Sequence, residues 1–291
     1  MDSSDKSSSS PSFQSGEELK VELIPSEVKP KDKRLEEMKL RKTLPQHPAN
    51  VMILGRCGSG KTCCLYSMLK DGYVTPSGKS IFDEMVVYLG TGDAVSAFYK
   101  LPCKNIRVLT DFDNVKFEAY LNNLREHQLE RLEKGKHPLN VAIVFDDLAA
   151  TKLMKPNKKG GTSPLEHLLI TSRHEAHASI FYCSQIYKNS GFSKPIARNN
   201  MTNYIIYSMS TAEIDKFCQE HCGLMTPAEF MAWYDKCMLT KYNFITINYK
   251  KDEESGRFCE RFTKVYVPEK LRRGNLLEDS DSQSESDEER K

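Results

Sequence analysis

No apolar run in this 291-residue chain approaches the ~20 residues that a membrane-spanning helix needs, so no membrane span is expected. Net charge is also scarce. The 42 Lys and Arg against 40 Asp and Glu leave +2, which excludes a polycation throughout. The near-neutral total hides an uneven distribution. Residues 277–290 (LEDSDSQSESDEER) are acidic and Ser-rich. Without them the body is basic, a balance compatible with polyanionic partners such as DNA. The chain shows no secretory leader pattern, because its first residues are polar and Ser-rich. The nine cysteines are an odd number, several in apolar surroundings (Cys63, Cys64, Cys183). They read as free thiols of a reduced, intracellular protein. Cys218 and Cys222 lie four apart with His221 between them. Two further ligands at matching spacing are missing, so the segment reads as a helix face with buried thiols rather than a metal site. No internal repeat is present.

What remains alternates strands and helices. The apolar strands are 51–54, 84–89, 106–109, 139–145, 178–183 and 203–207, and they run without polar alternation. Helical spacing covers 115–134, with Val115, Ala119, Leu121, Leu124 and Leu129 toward one side, and again 165–172. Continuous apolar strands separated by helices indicate an α/β fold with a mainly parallel sheet covered on both sides. After Ser210 the pattern changes. Thr211 reads as the cap of a helix over 212–221, and Thr226-Pro227 opens another to about Lys236. Residues 242–249 alternate like a half-buried strand, 258–267 resemble its partner, and 252–256 connect them. This pair either closes the sheet edge or packs beside it. The expected organisation is a disordered Ser-rich tail (1–16), a charged arm or linker (17–44), a core (45–210), a helical and β-hairpin extension (211–272) and a disordered acidic tail (273–291).

The chemistry is concentrated after the first strand. Val51–Leu54 leads into Gly55-Arg56-Cys57-Gly58-Ser59-Gly60-Lys61-Thr62, and helix-compatible residues 63–70 follow. This is a complete phosphate-binding loop, G-x-x-x-x-G-K-T, in its strand–loop–helix context. Its glycines let the backbone approach phosphate, its amides point at a polyphosphate on a helix N-terminus, and Cys63 opens that helix. Lys61 is expected at the β- and γ-phosphates and Thr62 at Mg2+. Cys57 lies inside the loop, where alkylation is expected to inhibit and ATP to protect. Farther on, the strand VAIVF ends in Asp146-Asp147. Asp146 is placed to hold the metal's water shell, and Asp147 to act as general base on the attacking water. Gln185, just past the strand ASIFYC, can contact the γ-phosphate or orient water. Such sites are often completed by an arginine from a neighbouring subunit. Arg173 and Arg198 are the candidates.

Taken in order, GRCGSGKT, IVFDDL, TSRHEAHASIFYCSQ and ARNN resemble the DNA-packaging ATPases of poxviruses, other large nucleocytoplasmic DNA viruses, virophages and polinton-type elements. That family lies in the FtsK/HerA branch of P-loop ATPases. The resemblance covers residues 45–210, and its more specific part runs from Arg173-His174 to Arg198-Asn199. It implies an additional-strand, RecA/FtsK-HerA-like P-loop core, Mg-ATP hydrolysis, a homo-oligomeric ring and sequence-independent translocation of double-stranded DNA into a capsid. A capsid or portal protein would be a further partner. The host cytoplasm, a viral factory or the virion would be the location. It assigns Lys61 and Thr62 to phosphates and metal, Asp146 to Mg2+, Asp147 to water activation and Gln185 to sensing. Asp147 is a methylene shorter than the glutamate that such sites also use.

Lys152, Lys155, Lys158 and Lys159 form a Gly-flanked basic loop just past the acidic strand, suited to phosphate-backbone contact. The Ser-Asp and Ser-Glu pairs of the acidic tail suit acid-directed phosphorylation, DNA mimicry or docking on capsid protein. Three other readings stay open from the residues alone. One is a cellular ATPase acting on DNA, such as a helicase or segregation motor. Another is a nucleotide-dependent switch or scaffold with little turnover. The third is a small-molecule kinase, although no arginine-rich lid segment is present.

Overall fold

Period-2 alternation divides the strands of this protein between two apolar layers. The computed structural model describes residues 33–36, 44–92, 94–148, 163–187 and 198–272, all within one compact unit spanning Lys31–Lys291. The strands are β1 (Asn50–Leu54), β2 (Glu84–Leu89), β3 (Asn105–Leu109), β4 (Val141–Asp146), β5 (Ala178–Ser184), β6 (Asn203–Ile206), β7 (Ile245–Asn248), β8 (Phe258–Glu260) and β9 (Lys264–Tyr266). They form one sheet in the order β3-β2-β4-β5-β1-β6-β7-β8-β9. The first six are parallel to their neighbours, and β7, β8 and β9 continue the sheet antiparallel.

The helices are α1 (Lys33–Glu36), α2 (Lys61–Ser67), α3 (Val95–Phe98), α4 (Asn114–Glu133), α5 (Pro164–Thr171), α6 (Thr211–His221) and α7 (Pro227–Met238), with a π-helical turn over Met68–Gly72. On one face, Met52, Val86, Ile143, Ile180 and Tyr204 pack with Phe117 of α4, Leu168 of α5, Phe217 of α6 and Trp233 of α7. On the other, Val51, Ile53, Val87, Val144, Phe181 and Ile205 pack with Leu65 of α2 and with Met68 and Leu69. Every residue of β1, β4, β5 and β6 is buried. A strand covered on both faces has no solvated side, hence the unbroken apolar runs in the sequence. Strand β5 lies between β1 and β4, the additional-strand arrangement that the resemblance implies. Because β1, β4 and β5 are parallel, the phosphate loop, the acid pair and Gln185 all emerge at the same end of the sheet.

Several expectations change. The stripe of α4 is Phe117, Leu121, Leu124 and Gln128, while Val115 and Leu129 are 69% and 59% exposed and Ala119 is exposed. At 3.6 residues per turn the first set shares one face, and Val115, Ala119 and Leu129 fall away from it. The segment 258–267 is two strands, β8 and β9, parted at Arg261, whose φ is 54°. Residues 242–249 shorten to β7, which is buried throughout rather than half-buried. It is an interior strand of the sheet. Cys63 is exposed, because it opens α2 on the side away from the core. The capping residue of α6 is Ser210.

Of the expected 17–44 arm, the described part is α1 and Leu44. Arg34 donates to Asp83 at 2.5 and 3.0 Å, and Leu35 packs on the second apolar layer. The basic loop of Lys152, Lys155, Lys158 and Lys159 and both tails lie outside the described residues. Among the described residues no helix is long and apolar enough to cross a membrane.

Candidate functional site

The loop after β1 is shaped by glycine where another residue would be strained. Gly58 and Gly60 have φ of 71° and 100°, the left-handed region. Gly60 caps α2, and no side chain satisfies the cap. The first amides of α2 have no partner four residues back, so they stand open at a helix N-terminus, a geometry that receives anions. The loop is anchored from below. The Gly55 amide donates to Ser184 O at 3.2 Å and the Arg56 amide to Ser208 O at 3.0 Å. Lys61 folds back over the loop, where its Nζ donates to Gly55 O at 2.8 Å and Arg56 O at 2.9 Å. It is buried, 8% exposed, an ammonium group held by carbonyl oxygens alone among the described residues.

Two strands away, β4 delivers its carboxylates. Thr62 Oγ1 donates to Asp146 Oδ2 at 2.8 Å, joining residues 84 positions apart. Asp146 is 5% exposed. Burial raises its pKa most. The Thr62 hydroxyl and the neighbouring Cys183 thiol pull it back, Asp147 raises it, and Lys61 lowers it. Asp146 Oδ1 is buried and has no hydrogen-bond partner among the described residues. A desolvated carboxylate oxygen beside a threonine hydroxyl at the mouth of a phosphate loop is a hard-oxygen donor set, which suits Mg2+. The residues present therefore fit this ion.

Asp147 leaves the strand in the left-handed region, with φ 53°, a conformation that Asp tolerates better than most residues. Gln185 Nε2, from the end of β5, donates to Asp147 Oδ1 at 2.9 Å. Both side chains are exposed toward solvent. Gly90, after β2, holds the acid pair from the other side. Its amide donates to Asp146 O at 2.8 Å, and a Cβ at Gly90 would stand 2.0 Å from the Asp147 carbonyl oxygen. Only glycine permits this approach.

These groups face one cavity of about 940 Å³. Of the sequence-expected residues, Cys57, Gly58, Gly60, Lys61, Thr62, Cys63, Asp146, Asp147 and Gln185 line it. Gly55 and Arg56 contribute the carbonyls beneath Lys61, and the Ser59 amide closes the loop on Arg56 O at 3.2 Å. Cys57 and Cys63 are exposed there, whereas Cys64, also on the cavity wall, is half-buried and its thiol is pushed up to about 11 by desolvation. The two arginines are elsewhere. Arg173 lies in the turn between α5 and β5, at the end of the sheet opposite the loop. Arg198 precedes β6. Its Nε donates to Glu220 Oε2 at 3.0 Å, and its guanidinium sits 5.7 Å from the Tyr187 ring centre. His221 is in this same cluster, 2.7 Å from the Tyr187 hydroxyl, and no group of metal-ligating side chains is present among the described residues.

Sequence reasoning missed Tyr207, Tyr242, Phe244, Arg261 and Phe262, which line the same cavity. They follow β6, precede β7 and form the β8–β9 turn, and no local motif marks them. Tyr207 reaches the loop at the end of the parallel strand β6, and the antiparallel register of β7 and β8 brings the other four there. Gly90 was missed because its requirement comes from a backbone contact with the end of β4, which no local pattern marks.

Residues 36–226 match the model of the family described as Poxvirus A32 protein. No curated protein matches. Among solved structures, the chain is similar to the genome packaging NTPase B204 from Sulfolobus turreted icosahedral virus 2 in complex with AMPPCP. That likeness has 14% identity over 70% of this chain and 93% of that one, with a TM-score of 0.46. It is also similar to the pCW3 conjugation coupling protein TcpA with ATPγS, at 16% identity over 69% and 57%, TM-score 0.43. A third is the cytoplasmic domain of the Thermomonospora curvata type VII secretion ATPase EccC, at 14% identity over 70% and 24%, TM-score 0.43. Matched over most of its length by that family model, the chain belongs to the poxvirus A32 protein family, a family of genome-packaging ATPases.

Proposed function

We propose that this member of the family is an ATP-driven motor that translocates double-stranded DNA and packages a viral or virus-like genome into a capsid. The observation that carries the reading is the Thr62–Asp146 contact of 2.8 Å. It seats the acid pair beside the phosphate loop, at the mouth of a cavity large enough for a nucleotide. On this reading the amides around Gly58 to Cys63 receive the polyphosphate, and Lys61 exchanges its carbonyl partners for β- and γ-phosphate oxygens. Thr62 and Asp146 would hold Mg2+, which neutralises phosphate charge when bound. Asp147 accepts the proton of the attacking water, and Gln185, already on its carboxylate, orients that water and reports the γ-phosphate.

A homo-oligomeric ring completes the proposal. Arg198 is tied to Glu220 within its own subunit, which leaves Arg173 as the better-placed arginine for a neighbour's nucleotide. Residues 45–210 form the catalytic core, and 211–272 an extension built onto the core sheet. The basic loop of Lys152, Lys155, Lys158 and Lys159 would contact the DNA backbone independently of sequence. A capsid or portal protein is the docking partner, in the host cytoplasm, a viral factory or the virion.

The test is ATP turnover of the full chain with and without long double-stranded DNA, beside a Lys61→Ala control. DNA-stimulated turnover that vanishes in the control is the expected result. Turnover indifferent to DNA overturns the motor reading, and turnover surviving in the control overturns the site.

A further inference from the structure

The phosphate loop and acid pair occupy one half of the cavity, toward β4. The other half lies beyond β6 and has a different lining. The strand register explains why. Strand β7 runs antiparallel to β6, with Ile206 opposite Ile245, and β8 runs antiparallel to β7, with Ile245 opposite Glu260. The residues before β7 and after β8 are thereby returned to the phosphate-loop end of the sheet. Tyr242, Phe244, Arg261 and Phe262 meet Tyr207 there, and all five line the cavity.

This half is built rather than incidental. Phe244 packs against Tyr207 and Phe262, each pair with ring centres 5.1 Å apart. Arg261 Nε donates to Asn243 Oδ1 at 2.9 Å. Asn243 is itself buried and donates to Cys237 O at 2.8 Å and Glu260 Oε1 at 2.9 Å, so the guanidinium is aimed by a fixed amide. Tyr242 and Arg261 both adopt positive φ, 59° and 54°, at a cost in backbone strain. Tyr242 keeps its ring 55% exposed beside the phosphate loop. A Cβ at Gly60 would lie 3.6 Å from Tyr242 Cδ1 and 3.7 Å from Tyr207 Cε1.

We infer that this aromatic and arginine-lined half is the subsite for the base of the nucleoside triphosphate. A triphosphate laid across the loop amides, with its terminal phosphate toward Asp146 and Asp147, points its ribose and base toward β6 and β7. A planar heteroaromatic base offers the π-face that tyrosine and phenylalanine rings and a guanidinium plane stack against. The inference rests on the nucleotide reading of the phosphate loop. It adds Tyr242 and Arg261 as residues that hold the base, and these lie outside every motif in the sequence.

Binding of ATP and of inorganic tripolyphosphate to the full chain, measured by calorimetry, tests it. Tripolyphosphate has the phosphates without the base. Tyr242→Ala and Arg261→Ala are each expected to weaken ATP about ten-fold, the scale of one lost stacking contact, and to leave tripolyphosphate unchanged. Tyr242→Phe keeps the ring and should bind ATP like the wild type. Tyr242 is exposed, so its loss leaves the core intact. If ATP affinity is unchanged in both alanine variants while the wild type binds it, the base subsite is wrong and the phosphate-loop reading stands. Equal losses for both ligands also overturn the subsite, because the residues would then act on the loop. Wild-type protein that binds neither ligand removes the phosphate-loop reading itself, and the subsite with it.

Discussion

At Asp147 the backbone and the carboxylate are constrained by different neighbours. Gly90 fixes the backbone, through the hydrogen bond that its amide donates to Asp146 O at 2.8 Å and the space that a Cβ would fill. Gln185 fixes the carboxylate, at 2.9 Å. If Asp147 is the general base, Asp147→Asn keeps the shape and loses the proton acceptor. Turnover should then fall about 10²- to 10⁴-fold while ATP binding persists, and a rate within a few-fold of wild type contradicts that role.

The acid pair, the phosphate loop and Gln185 were legible in the sequence because each ends an apolar strand. Gly90 was not, since its requirement arises from a backbone contact across two strands. Nor was the surrounding of His221. Its burial among Tyr187, Tyr204, Tyr249, Glu220 and Arg198 lowers its pKa from 6.5 to about 4, with Glu220 opposing the shift and Arg198 adding to it. The unfolded chain takes this proton at higher pH than the folded one, so stability falls as pH drops from 6.5 toward about 4. Urea unfolding at pH about 7 and about 5 should show a smaller loss for His221→Gln than for wild type. Equal losses would count against this assignment.

Among the elements, α5 shows how a local signal and a tertiary role combine. Ser163 accepts from the Glu166 amide at 3.2 Å, and the Ser163 amide donates to Glu166 Oε2 at 2.9 Å, a reciprocal capping box with Pro164 at the first helical turn. All of it lies in the sequence as Ser-Pro-Leu-Glu. Ser163→Ala should cost about 1 kcal/mol, seen as a fall of a few degrees in the melting temperature, and an unchanged melting curve would contradict the cap. Helix α4 is the opposite case. Its length was legible, but its buried face was not. The polar Gln128 belongs to the buried stripe because its amide bonds Leu139 O and Ala176 O, each at 2.9 Å. A rule that counts only apolar residues passes over it. The β8–β9 turn was illegible for a related reason. Arg261 takes a left-handed backbone inside a segment that otherwise alternates like one strand.

For the whole molecule, the sheet sets what the sequence could and could not reveal. Parallel strands covered on both faces leave a strong apolar record, so the α/β architecture and the strands of the core could be read directly. Strand order leaves none. That β5 lies between β1 and β4 follows from packing, and in the sequence it rested on resemblance to a family. The antiparallel extension of β7 to β9 brings Tyr242, Phe244, Arg261 and Phe262 to the cavity lining, yet its contribution appears only once the register is known.

The same sheet brings loop, acids and aromatic lining to one end, the arrangement that an ATP-hydrolysing site needs, and the motor function proposed for it has its own test. The most direct test is displacement of a labelled third strand from a long DNA duplex by the full-length protein. The account predicts displacement that requires ATP and is abolished by Asp146→Asn. Vigorous ATP turnover on the same duplex without displacement would contradict it.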